Sequence, residues 1–168
     1  MLGPQLRTDI VDVYVFRRTI ADGQFAAVEF LQLHRVGGAM SGTWQPVMGH
    51  VESGETAHAA AMRELAEETG LRPDRGLVAL WQLETVNTYF LAAQDNIMLS
   101  AGFAAETIEG AELRLDEAHD GHRWIRRDMA DREFLWPGQR AAIKHIVSDI
   151  LPVESPMARH LRLEIGGE

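Results

Sequence analysis

The chain has 168 residues, of which 46% are hydrophobic and 24% charged, and its net charge is −9. That length supports one domain with its own core, and an acidic balance with no basic patch excludes a grip on a nucleic-acid polymer. The lack of cysteine excludes disulfides, thiolate zinc sites and a cysteine nucleophile, and no run of about 18 apolar residues offers a membrane span.

The N-terminal stretch "MLGPQLRTDIVDVYVF" has no basic region ahead of an apolar core and a small-residue cleavage site, so a cytoplasmic location is the expectation. Residues 8–18, "TDIVDVYVFRR", alternate apolar and polar and are rich in β-branched side chains, which predicts a strand. "ADG" at 21–23 marks a turn, and 24–36 reads as the partner strand of a hairpin. The glycine-rich 37–42 reads as a loop, and "TWQPVMGHV" as a short extended piece interrupted by Pro46. Residues 56–69 predict a helix, with Thr56 as N-cap and Gly70 placed to end it in a left-handed conformation. Two or three strands follow in "GLVALWQLETVNTYFLAA" and "NIMLSAGFAAET". After the acidic loop "DEAHDG", "HRWIRR" reads as a short strand. "WPGQRAAIKHIVSDIL" reads as a helix in which Ala142, Ile143, Ile146, Val147 and Ile150 share a face. The tail beyond Pro152 is expected to be loosely held. The sum is an α/β (α+β) sandwich, one domain over residues 1–168 with a core at 8–152 and a C-terminal tail at 153–168.

The helix at 56–69 poses an electrostatic question. At about 100° per residue, Glu64, Glu67 and Glu68 share about 100° of arc, opposite Met62, Leu65, Ala66 and Thr69. Like charges at i, i+4 cost only ~0.2–0.5 kcal/mol per exposed pair, so the carboxylates alone fit a solvated face as well as a cation site. Between Glu52 and Glu68, five glutamates stand against one arginine, a sign that repels phosphate unless metal ions reverse it. The wider spacing separates the two readings. Residues 49–71 fit G-x5-E-x7-R-E-U-x-E-E-x-G-U, with U aliphatic, through Gly49, Glu55, Arg63, Glu64, Leu65, Glu67, Glu68, Gly70 and Leu71. A chance match somewhere in such a chain is on the order of 10⁻⁷, so the spacing is taken as a motif.

On this complete box the chain resembles the Nudix hydrolases. The resemblance implies an αβα sandwich around a mixed sheet, with the box as a loop–helix–loop. It also implies Mg²⁺-dependent hydrolysis, with Mn²⁺ as the alternative ion, of a pyrophosphate bond in a nucleoside diphosphate linked to another moiety. By motif position Glu64, Glu67 and Glu68 would ligate the metal, joined by the backbone carbonyl of Met48. Arg63 would act with Glu64 and Glu67 in catalysis and bridge to Glu55, while Gly49, Glu55 and Gly70 shape the box. The donor set is consistent with Mg²⁺, a hard cation that takes oxygen ligands and is commonly shared with substrate phosphates.

Outside the box, "FLQLHRVGGAMSGTWQPVMGHVESGE" and "EAHDGHRWIRRDMADREFLWPGQRAAIKHI" resemble the dATP and dihydroneopterin-triphosphate pyrophosphohydrolase branch, and "GHVE" is shared with bis-nucleosyl tetraphosphate hydrolases. Arg35 is a candidate for phosphate binding and equally for a structural pair. Trp44 and Trp136 are the preferred substrate-binding aromatics over Trp81, Tyr89 and Phe90, although every one of them also suits a core. The family often carries a further glutamate before the tryptophan of the late strand, and Ala118 and Gly121 stand at two such positions here. Glu117 is then the first candidate for an auxiliary ligand or base, Asp120 the second, and a box glutamate the fallback. His119 reads as a loop hydrogen-bonder, and His50 and His58 lack zinc-ligand spacing. The expected partner is a small nucleotide: a nucleoside or dihydroneopterin triphosphate first, a dinucleoside polyphosphate second, a nucleotide sugar third. A homodimer is left open. A non-catalytic nucleotide-binding module is the rival reading, and the intact box stands against it.

Overall fold

Asp22 and Gly23 both take positive φ, 53° and 75°, the two-residue loop whose twist matches a hairpin. They join β1 (Gln5–Ala21) to β2 (Gln24–Arg35), so the predicted hairpin is present and its first strand begins earlier than the alternation suggested. The structure, a computed structural model, describes residues 3–38 and 40–166. Part of the predicted 37–42 loop and both ends of the 1–168 domain therefore lie outside the described residues.

β1 and β2 pair only from Phe16–Phe30 toward the turn. Beyond that point they part, and the segment around Pro46 fills the gap. β3 (Trp44–Gln45) pairs with Leu33 and His34 of β2, and β4 (Val47–His50) pairs with Ile10–Val13 of β1. Pro46 sits where the chain changes partner, a place where a residue with no N–H costs the ladder nothing. β7 (His119–Arg126) covers the other edge of β2. On the far side of β1, β6 (Asn96–Thr107) runs parallel to it, and β5 (Leu77–Leu91) returns antiparallel. The late strands are thus two long ones, followed on β5 by the short β8 (Arg162–Leu163).

The period-two alternation of β1 feeds two separate cores. Val11, Val13 and Val15 join Leu31, Leu33, Val47 and the helix residues Ala60, Ala61 and Leu65 on one face. Tyr14 and Phe16 join Phe30, Trp81, Phe134, Ile143 and Ile146 on the other. α1 (Ala57–Thr69) covers the first face. α2 (Arg127–Glu133), α3 (Pro137–His145) and α4 (Pro156–Leu161) cover the second, with α3 running on into a wider turn at Ile146–Ile150. The result is a mixed eight-stranded sheet between helical layers, the sandwich expected.

Two segments differ from expectation. Residues 127–133 form α2, a helix with Ala130 as its one buried residue, so its sequence carries no apolar stripe to announce it. The stretch after Pro152 is docked rather than loose: Leu161 is buried in the second core, and the Trp81 indole N–H donates to the Ala158 carbonyl at 2.9 Å.

Candidate metal centre

The box helix starts where predicted, the Thr56 hydroxyl accepting from the Ala59 N–H at 3.1 Å, and ends at Gly70 with φ 74°. Ala60 and Ala61 are fully buried, so the helix axis lies close to the sheet. This brings its acidic face to the edge of β4. Arg63 is the centre of the arrangement. Its guanidinium donates to Glu55 at 3.1 and 3.0 Å, to Glu64 at 2.7 Å, to Glu67 at 3.2 Å and to the His50 carbonyl at 2.7 Å. One planar cation thereby holds two box carboxylates and ties both to the chain leading into the helix. The Arg63 guanidinium holds the Glu55 carboxyl below its ordinary range, and Glu55 also accepts from the Glu52 N–H at 3.0 Å.

Gly49 has a steric reason. A Cβ built there would lie 1.9 Å from Cδ of Glu64, so the carboxylate occupies space that any side chain would claim. Burial raises the pKa of Glu64 despite the bond from Arg63. Glu68 goes further: it is 4% exposed, accepts from the Met48 N–H at 3.3 Å, and is pushed by burial up to about 8. Around Glu68 the chain gathers Asp116 and His119, with one donor atom from each of the three within 4.8 Å of the others. His119 is buried and its Nδ1 lies 2.7 Å from Oδ1 of Asp116. The same oxygen accepts from the Ala118 N–H at 3.2 Å, a local turn that points Asp116 inward.

The NUDIX domain family model matches residues 7–146. The chain belongs to the Nudix family of pyrophosphohydrolases. Among curated relatives it is 31% identical over 114 residues to the bis(5'-nucleosyl)-tetraphosphatase [asymmetrical] of Sus scrofa, covering 68% of this chain and 75% of that protein. It is 34% identical over 105 residues to an octanoyltransferase of Myxococcus xanthus; this is 61% of this chain, which spans only 28% of that protein's length. The crystal structure of a C. elegans Ap4A hydrolase binary complex superposes with a TM-score of 0.66 at 20% identity, over 84% of this chain and 96% of that one. That likeness is one of fold.

The remaining predicted residues are placed unequally around the Nudix box. Arg35, at the end of β2, lies close enough to Glu68 for its charge to act on that carboxyl. Glu117 is exposed, so the loop carboxylate brought to the box is its neighbour Asp116. Asp120 is turned to His34, with Oδ1 2.5 Å from Nδ1. Trp44 lies with its ring centroid 4.8 Å from that of His34, and the Arg123 guanidinium stands 4.5 Å over the ring. Trp136 is 43% exposed and stands just ahead of α3, on the face of the sheet opposite the box helix. His50 contributes its carbonyl to Arg63, and the His58 Nε2 is buried without a partner among the described residues; neither joins the Glu68 cluster. Among the described residues no helix is long and apolar enough to cross a membrane.

Proposed function

We propose that the protein hydrolyses a pyrophosphate bond of a nucleoside triphosphate, with Mg²⁺ or alternatively Mn²⁺ held by Glu64, Glu67, Glu68 and the Met48 carbonyl. The observation that carries this is the Arg63 knot, which fixes Glu64 and Glu67 on one guanidinium beside the buried Glu68. The donors are all oxygen, as a hard divalent cation requires. Glu68 also fits the group: a deeply buried carboxyl beside Asp116 holds its proton up to about 8, and a divalent cation would favour its ionised form. Bound there, the ion would supply the positive charge and water activation that anhydride cleavage needs.

The chain's own residues do the positioning. Glu55 braces Arg63, Arg63 orients Glu64 and Glu67, and Gly49 leaves room for Glu64. Asp116 takes the part first sought in Glu117, a loop carboxylate beside the attacking water, its Oδ1 tied to His119. Arg35 adds positive charge where the phosphates arrive. A dinucleoside polyphosphate is the second reading, favoured by the similarity to the tetraphosphatase of Sus scrofa.

The test is a panel of nucleoside triphosphates, dinucleoside polyphosphates and nucleotide sugars with Mg²⁺, run on the wild type and Glu67→Gln. The Glu67 side chain is 57% exposed, so the variant should keep its melting temperature and lose turnover. Wild-type turnover in Glu67→Gln would refute the metal assignment. Saturable nucleotide binding with no cleavage across the panel would replace the enzyme with a binding module.

A further inference from the structure

β5 is longer than the cover the chain provides for it. On one side it pairs with β6 through to Leu91. On the other, among the described residues, β8 pairs with it only at Leu80 and Trp81, and the edge over residues 85–91 has no ladder partner. An open edge presents a row of backbone N–H and C=O groups, which monomeric proteins blunt with charge, proline or a bulge. The run "TVNTYFL" at 85–91 has neither charge nor proline and is rich in β-branched and aromatic residues. The irregularity in the β5–β6 ladder lies between Gln82 and Val86, so residues 86–91 run unbroken.

The same segment carries apolar side chains on the face that α1 covers further along the sheet. Phe90 stands opposite Ile97, and Ile97 opposite Leu6 of β1, a row across three strands. Val86 stands opposite Ala101, which packs against the first core, so Val86 and Phe90 share that face. Leu6, Phe90 and Val86 are 62%, 56% and 53% exposed. The apolar row therefore ends at the open edge rather than under a helix.

We propose that the protein forms a two-fold dimer in which residues 85–91 of β5 pair antiparallel with the same residues of a second copy, joining two sheets into one. A two-fold axis normal to the sheet keeps like faces together and sets one residue opposite itself. When the whole open run is paired, that residue is Thr88. Val86 then stands opposite Phe90 of the second copy on each side of the axis, an aromatic and β-branched pair, and each apolar row continues into the other. Glu84 falls opposite Ala92, so no like charges meet in the ladder. Asp95, at the end of the turn after β5, reaches the level of Trp81 of the second copy, where β8 presents the exposed Arg162. Each copy carries a net charge of −9, which opposes contact over most of the surface. An uncharged strand with an aspartate meeting an arginine at either end is where two such chains approach at least cost.

The test reads cross-linking and mass rather than turnover, so it stands apart from the hydrolase reading. The chain has no cysteine, and a single introduced thiol can pair only with its copy. Thr88→Cys under mild oxidation should give a dimer on a non-reducing gel, because Cα atoms directly opposite in an antiparallel pair lie about 4.5–5.5 Å apart, within disulfide reach. Glu84→Cys should give no cross-link, its two thiols being eight residues out of step, on the order of 26 Å. In light scattering at about 100 µM chain, the wild type should show the mass of two chains. Val86→Lys, which sets a charge at an exposed edge position, should show the mass of one with an unchanged circular-dichroism spectrum. Equal cross-linking of the two cysteine variants, or a dimer that survives Val86→Lys, overturns the proposal. A monomeric wild type overturns it as well and leaves the edge to an extended segment of another protein.

Discussion

At Gly49 a single hydrogen atom keeps the box usable. Because a Cβ there would sit 1.9 Å from the Glu64 carboxyl, Gly49→Ala must displace that carboxylate. The expected cost is about 10²-fold in kcat/KM, the scale of a misplacement of about an ångström, with Tm little changed because position 49 lies at the rim of the sheet. Turnover at the wild-type rate would show that Glu64 has another workable position. The box carboxylates were legible in the sequence because their relation is local: one helix and one phase place them together. The loop carboxylate was not, because adjacent loop residues point in different directions. Only the turn made by Asp116 with Ala118 and His119 decides that it, rather than Glu117, faces Glu68. The burial of Asp12, at 1% exposure, escaped notice for a related reason. A polar position in an alternating strand reads as solvent-facing, and only α3 and β5 close over it.

Among the elements, the box helix and the C-terminal layer give separate predictions. Gly70 ends α1 at φ 74°, and a Cβ there would also approach Cβ of Arg114 at 3.3 Å. Gly70→Ala is expected to destabilise by about 1–3 kcal/mol in urea unfolding, the cost of forcing a side chain into that region. Leu161→Ala should cost about 2–5 kcal/mol as a buried truncation, whereas Val153→Ala, at 91% exposure, should lie within about 0.5 kcal/mol of wild type. Equal effects of the two would mean that α4 does not hold the second core. The long strands and α1 were readable because period and caps agree. α2 was not, with Ala130 its one buried side chain. α4 announces itself only through Ser155, whose hydroxyl accepts from the Ala158 N–H at 3.2 Å, and Pro156 at the first turn.

For the molecule as a whole, buried carboxyls set the pH response. Burial raises Glu68 to about 8 and Asp12 to about 6. The folded chain therefore keeps protons that the unfolded chain has released, and stability falls as pH rises from the ordinary carboxylate range through those values. Each proton contributes a slope of at most about 1.4 kcal/mol per pH unit. Metal-free protein in chelator should unfold at lower urea near pH 8 than near pH 5, and Glu68→Gln should flatten the upper part of that curve. An unchanged slope in the variant would mean that Glu68 is not the group responsible. Added Mg²⁺ should stabilise most at the alkaline end, where Glu68 gives up its proton most readily.

The parting of β1 and β2 around Pro46 also decides where the gene can be lengthened. Trp44–Gln45 is bound to one strand and Val47–His50 to the other, so a codon added anywhere in that run shifts Met48 against both Asp12 and Glu68. Gly37 and Gly38, exposed and outside the ladders, belong to no such register. Tags, reporter peptides or library diversity belong at Gly37–Gly38, whereas a one-residue insertion eight positions later would break the registers that tie β3 to β2 and β4 to β1.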